Sequence, residues 1–330
     1  MIPSRRFADG FPVFPIALGC MGMSGMYGPA DEQESIATIH AALDAGVNLI
    51  DTGDFYGMGH NEMLVGRAIK GRRREQVMVS VKFGALRAPG GAWTGVDCRP
   101  AALKNFAAYS LTRLGVDYID VYRPARLDPA VPIEDTIGAI ADLVRAGYVR
   151  HIGLSEVGAE TIRRAARVHT ICDLQIEYSL ISRGPEAHIF PALEELGIAA
   201  TVYGVLSRGL LSGSTPAEVG DFRTHFPRFK GENFERNQRL VEKLRAMAEG
   251  MGITAPQLAI AWALAKGRFV IPVLGSRTRA QLKEALGAFS VELTAADAAR
   301  IEGAIRADEA AGTRYDARQM QMLDSEKPQG

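Results

Sequence analysis

Residues 48–57 read NLIDTGDFYG: the apolar pair Leu49-Ile50 runs straight into Asp51, Asp54 and Tyr56. A second apolar run, VMVSVKFG at 77–84, carries Lys82 near its end. A phenol has an ordinary pKa near 10 and is a poor acid at neutral pH. A nearby ammonium favours the phenolate and lowers that value, and a carboxylate keeps the ammonium charged in a desolvated site. Asp51, Lys82 and Tyr56 together would let Tyr56 give a proton to a carbonyl oxygen while hydride arrives at the carbon. Singly, each has a plainer reading: Asp51 as a turn or cap, Tyr56 as a half-buried loop aromatic, Lys82 as a solvated strand end. Asp54 reads as loop.

Other polar groups sit at the ends of strand-like runs. Ser155 and Glu156 close VRHIGLS, Gln175 and Glu177 lie in ICDLQIEYS, and Tyr203 lies in AATVYGV. The cluster GSRTRAQLKEA (275–285) opens a helix, where backbone N–H groups and the helix dipole suit a phosphate. Arg277 and Arg279 are placed to grip a 2′-phosphate, or else belong to an ordinary solvated helix start.

These groups need elements to hold them. Strand-like runs at 14–19, 48–52, 77–84, 118–125, 149–155, 171–179, 199–205 and 269–275 alternate with helical periodicity. The helical stretches are 31–46, 61–71, 99–115, 132–147, 159–169, 189–197, 237–252, 256–267 and 279–289. Eight strand–helix units predict an α/β fold, a (β/α)8 TIM barrel with its chemistry at the strand ends. An open doubly wound sheet is the alternative, but GCMGMSG (19–25) does not match GxGxxG. We expect one barrel domain over 1–330, with a long loop at 207–235 after the seventh strand and a tail at 306–330.

Composition excludes several classes. Lys+Arg and Asp+Glu both number 38, so nothing in the charge balance calls for nucleic acid or an anionic membrane. Three scattered cysteines without CxxC, and six histidines without HExxH, predict neither disulfides nor a metal site and suit a reducing cytoplasm. No window approaches 18 uninterrupted apolar residues, and the N-terminus lacks the apolar core of a signal peptide. No tyrosine is followed four residues on by lysine, so the YxxxK pairing of short-chain dehydrogenases is absent.

NLIDTGDFYG, SVKFG, HIGLSE, LQIEYSL, SRGLL and IPVLGSRTRAQLKEAL occur in this order and together resemble the aldo-keto reductases over nearly the whole chain. The nearest likeness is to the microbial and plant branch around perakine reductase and the pyridoxal-type reductases. The resemblance implies NADPH (or its oxidised form NADP) as cofactor and a small-molecule carbonyl as substrate. By position Tyr56 is the general acid, Lys82 its partner and Asp51 the anchor of the lysine. Ser155 and Gln175 would bond the nicotinamide amide, and Tyr203 would stack on its ring. Gly19, Met21 and Arg208 would join the cofactor site, while Gly275, Ser276, Arg277, Arg279, Gln281 and Glu284 would surround the adenosine and its 2′-phosphate.

Three positions depart from the family pattern. Where a segment like YxHRxDP normally carries a catalytic His, VYRPARLDP has Ala125. Glu156 replaces the usual Asn, and Ala285 replaces an Asn late in the phosphate cluster. Strand alternation puts Arg123 on the same side as Ala125, so Arg123 or a water would stand in for the imidazole, unless Arg123 pairs with a barrel carboxylate. Phe222, Phe226, Phe229 and Phe234, with Trp93, would wall a pocket wide enough for a bulky ketone such as the 3-keto form of deoxynivalenol. The missing His also fits a cofactor-sensing regulatory role like that of the related channel β-subunits. The sequence leaves monomer and homo-oligomer open.

Overall fold

The computed structural model describes residues 4–8, 10–216 and 221–327. Positions 217–220 of the expected long loop and 328–330 of the expected tail lie outside these. The chain opens with a short antiparallel hairpin, β1 (Arg5–Arg6) and β2 (Pro12–Val13). Then eight parallel strands close a barrel: β3 (Ala17–Gly19), β4 (Leu49–Gly53), β5 (Met78–Phe83), β8 (Ile119–Pro124), β9 (Val149–Ser155), β10 (Ile171–Glu177), β11 (Ala199–Tyr203) and β12 (Val270–Gly275). Between β5 and β8 a second hairpin, β6 (Ala85–Arg87) and β7 (Trp93–Val96), rises from the strand ends.

Strand β5 is buried at all six positions, as expected of a parallel strand covered by helices on one face and the barrel interior on the other. The covering helices are α1 (Glu32–Asp44), α2 (His60–Ile69), α3 (Pro100–Leu114), α4 (Ile133–Arg145), α5 (Ala159–Val168) and α6 (Pro185–Leu196). They continue with α7 (Gly231–Gly250), α8 (Ala255–Ala265), α9 (Arg279–Leu286), α10 (Ala295–Ala304) and α11 (Ala317–Gln321). Their limits follow local chemistry. Asp31 caps α1 by accepting from Glu34 N at 2.7 Å, Pro100 opens α3, and Gly115 ends it with φ 65°.

The barrel interior is filled in tiers. Phe7 and Val13 of the first hairpin pack with Leu49, Met78, Ala199 and Ile271, which stand at the strand starts. Above this plug lies a polar tier. Arg123 is fully buried and pairs with Asp173 at 2.8 Å, and it also donates to Thr201 Oγ1 and Ser80 Oγ. Only a glycine leaves room for this pair: a Cβ on Gly153 would lie 2.6 Å from Asp173 Oδ1 and 3.2 Å from Arg123 Cζ.

The eight-strand count stands, but several limits move. The first barrel strand starts at Ala17, not at residue 14, because Phe14 N is already bonded to Asn48 Oδ1. Neither hairpin was anticipated, nor was α10. The expected tail carries α11 and short turns and packs across the strand ends.

Gly153→Ala should lower unfolding stability by about 1–3 kcal/mol, the usual range for overpacking a filled core. Chemical denaturation measures it. An unchanged midpoint would mean that the Arg123–Asp173 tier relaxes freely.

Candidate active site

Asp51 in β4 and Lys82 in β5 lie on neighbouring strands, with Gly53 opposite Lys82 in the register. The parallel ladder thus points both side chains to one place. Lys82 Nζ lies 2.5 Å from Asp51 Oδ2 and 2.8 Å from Gln175 Oε1, and both chains are about 6% exposed. Gln175 Nε2 donates back to Asp51 Oδ1 at 2.9 Å, and Ser80 Oγ donates to the same oxygen at 3.0 Å. Because Ser80 Oγ also accepts from Arg123, the two buried ion pairs form one continuous network.

Tyr56 follows β4 in a single turn of 3-10 helix and is 5% exposed. Lys82 Nζ sits 5.2 Å from the centre of its ring. Burial pushes the Tyr56 phenol well above its ordinary value, Asp51 adds to this, and Arg126 opposes it. The lowering expected from the sequence is therefore reversed. The ammonium is spent on Asp51 and Gln175, while the phenol has lost its water. Burial also lowers the Lys82 ammonium, with Asp51 pulling the other way.

A cavity of about 530 Å³ opens above these groups. Tyr56, Lys82, Asp51, Ala125 and Arg126 line it, together with Gly19, Met21, Ser155, Gln175, Tyr203 and Arg208. The lining also includes Gly275, Ser276, Arg277, Gln281 and Glu284 around the start of α9. There a Cβ on Gly275 would have no neighbour nearer than 4.0 Å, so bare backbone faces the opening. Thr278 caps α9, and Arg277 lies across to the carbonyl of Tyr27 at 3.0 Å. A cleft lined by a flat aromatic and by a basic helix start has the shape and charge for a phosphate-bearing dinucleotide.

This chain matches the aldo/keto reductase family over residues 15–306. A probable aldo-keto reductase 1 of Glycine max is 37% identical over 318 residues, which is 95% of this chain and 91% of that one. The chain belongs to the aldo/keto reductase family. It is an oxidoreductase by that membership. Among solved structures, the glycerol dehydrogenase AKR11B4 of Gluconobacter oxydans superposes with a TM-score of 0.82 at 27% identity, covering 99% of this chain and 97% of its own. The holo form of AKR11C1 of Bacillus halodurans gives 0.77 at 28%, covering 93% and 97%.

Within this reductase most of the anticipated residues gather closely. Arg279 stands outside the cavity lining, where Glu34 of α1 accepts from its backbone N–H and from its guanidinium, each at 2.9 Å. Arg123 takes the second of its two expected roles: held by Asp173 beneath Lys82, it does not reach the place of the imidazole. Of the four phenylalanines expected as a wall, only Phe222 lines the cavity. Phe226 packs under Arg208, and Phe229 stacks on Phe234. Trp93 does line it, with Arg87 5.6 Å from its ring.

Sequence reasoning missed Arg126 and Tyr315. Arg126 directly follows Ala125, and its charge among apolar strand-end residues was a usable signal. Tyr315 comes from the tail, and nothing local in the sequence announces it. Glu156 was read only as a departure. Its carboxylate accepts from Arg314 through both guanidinium NH2 groups (3.1 and 2.6 Å), from Tyr203 Oη at 2.7 Å and from Ser325 Oγ at 2.8 Å.

Asp54 is a loop tie, its Oδ2 accepting from Gly84 N at 3.3 Å while Oδ1 has no partner. Burial, then Glu62, pushes its carboxyl up to about 7. A carboxyl raised above its unfolded value stabilises the fold while protonated. That contribution is complete below about pH 4 and is lost as pH rises through 7. Asp54→Asn should therefore melt above the parent protein at pH 8, and the gap should shrink toward pH 4. Parallel Tm-against-pH curves would contradict this.

Proposed function

We propose that this reductase converts an aldehyde or ketone to the alcohol, with Tyr56 as acid, Lys82 beside it and Asp51 anchoring the lysine. The observation that carries the reading is the meeting of these three in one cleft that also takes in the basic start of α9. Bound NADPH supplies a hydride to the carbonyl carbon. Tyr56 gives its phenolic proton to the oxygen as that atom takes the C=O electron pair, and solvent later restores the phenol. Its raised pKa keeps the proton in place until the oxygen gains negative charge. The Lys82 ammonium then stabilises the phenolate left behind.

For the cofactor, Tyr203 offers its ring to the nicotinamide and Ser155 a hydroxyl to the amide. Gln175 is committed on both its atoms to Lys82 and Asp51, so we assign it first to holding that pair. Gly19 and Met21 line the same wall, and Arg208, paired with Glu177 at 2.9 Å, edges it. Gly275, Ser276, Arg277, Gln281 and Glu284 would receive the adenosine phosphate, with Arg279 joining once it leaves Glu34. The cavity volume and the Phe55, Trp93 and Phe222 rings favour a bulky, partly apolar ketone. The chain's three cysteines, Cys20, Cys98 and Cys172, are buried free thiols, which supports a cytoplasmic setting. Among the described residues no helix is long and apolar enough to cross a membrane.

Ala125, in place of an imidazole, favours a second reading in which the protein senses its cofactor and turns over slowly. Stopped-flow separates the two: a sensor oxidises bound NADPH once and releases it slowly, whereas a reductase consumes NADPH steadily with millimolar 4-nitrobenzaldehyde.

Tyr56→Phe should abolish reduction while leaving the Kd for NADPH within about twofold, read by protein fluorescence quenching. Retained turnover would remove Tyr56 as the acid.

A further inference from the structure

The cleft is lined by a cation that keeps its place in the HRxDP segment although the preceding His is missing. Arg126 follows Ala125 at the end of β8 and lines the cavity with Tyr56. Its guanidinium donates to Ala125 O at 2.6 Å and to Tyr315 Oη at 3.2 Å. These bonds use two of its five N–H donors. Of the neighbouring arginines, Arg208 pairs with Glu177, Arg223 with Asp221 and Arg314 with Glu156, while Arg87 and Arg277, which also line the cavity, donate to backbone carbonyls. Among the described residues no carboxylate lies within ion-pair distance of Arg126. Glu156 balances its charge only from beyond ion-pair distance, so the remaining N–H donors are available to an electron-rich group.

Tyr315, its tail-borne partner, is held from several sides. Its hydroxyl lies 2.9 Å from Tyr203 Oη, Arg208 sits 4.4 Å from its ring centre, and Phe226 meets it edge-on at 5.4 Å. The neighbouring Arg314 is bound to Glu156, and Ser325 N donates to Glu156 O at 3.2 Å. Asp324 reaches the start of α5, accepting from Gly158 N and Thr161 Oγ1. Glu156 has φ 53°, a conformation that Asn tolerates and Glu adopts at some cost, so its contacts to the tail offset local strain.

We propose that Arg126 takes over the task of the absent imidazole and donates a hydrogen bond to the substrate's carbonyl oxygen, aimed for that task by Tyr315 from a tail that Glu156 anchors. The departures at 125 and 156 are then one device. Loss of the His leaves a space beside the reacting oxygen, and the tail holds a guanidinium at its edge. A cation there stabilises the negative charge that builds on oxygen as hydride arrives, which Tyr56 alone would neutralise only by proton transfer. Arg126 is a catalytic residue in this scheme; Tyr315 and Glu156 are positioning residues. The inference rests on the carbonyl-reduction reading.

The test uses full-length protein with NADPH and 4-nitrobenzaldehyde. The parent protein must first consume NADPH steadily. If it does not, the reductase reading itself fails, and the variants below are not the cause. With turnover present, Arg126→Gln should lower kcat about 100-fold, the usual loss for one oxyanion donor, with the Kd for NADPH within about twofold. Ala125→His added to Arg126→Gln should restore at least about tenfold of that loss, which a merely structural arginine would not allow. Tyr315→Phe should lower kcat about tenfold in the parent and have no further effect in Arg126→Gln, because it acts through the guanidinium. Arg126→Gln turning over like the parent would overturn the proposal. So would failure of Ala125→His to rescue, or a full loss of kcat in Arg87→Gln with none in Arg126→Gln, which would move the donor to the β6–β7 hairpin.

Discussion

The site depends on one buried ion pair, Asp51 with Lys82 at 2.5 Å. Two charges withdrawn from water hold only if nearly every remaining donor and acceptor is satisfied. Here Gln175 bridges both partners and Ser80 fills the second carboxylate oxygen. Arg123 and Asp173 below complete the alternation of sign through the barrel interior. Losing one partner of such a pair generally costs about 3–5 kcal/mol, so the network constrains the sequences of β4, β5, β8 and β10 as well as the chemistry. The glycine at 153 is part of the same constraint, since the lower pair occupies the space of a side chain.

The pair fixes the geometry around Tyr56 without making that phenol a strong acid at rest. Burial and the Asp51 carboxylate hold its proton on, and Arg126 is the cation acting the other way. Such a phenol gives up its proton only when a stronger base forms beside it, which is the condition met by a carbonyl oxygen receiving hydride. Resting stability of the phenol and assistance to the phenolate are thus separate tasks, carried by burial and by cations respectively.

Much of this was legible in the sequence. Eight alternations of apolar run and helical stripe fix the barrel, and polar groups interrupting apolar strand ends mark Asp51, Lys82, Ser155, Gln175 and Tyr203. What stayed hidden depends on contacts distant along the chain. Tyr315 lies in a segment without periodicity, and its place is set by Glu156 and Arg208, more than 100 residues away. A barrel carboxylate was expected as one partner for Arg123, but only closure of the barrel shows that it is Asp173. The Arg279–Glu34 contact joins the two ends of the barrel sequence across β12 and β3, where no local pattern reports it. The β6–β7 hairpin was missed although its Pro89-Gly90-Gly91 turn is a strong signal, because the eight-unit rhythm accounted for the chain without it.

Single-turnover hydride transfer in Lys82→Met, followed against pH with saturating NADPH and aldehyde, tests the central electrostatic claim most directly. The account predicts a fall of at least about 1000-fold, with cofactor affinity changed only a few-fold. A variant that transfers hydride within tenfold of the parent at every pH would show that the buried ammonium does not assist the phenol.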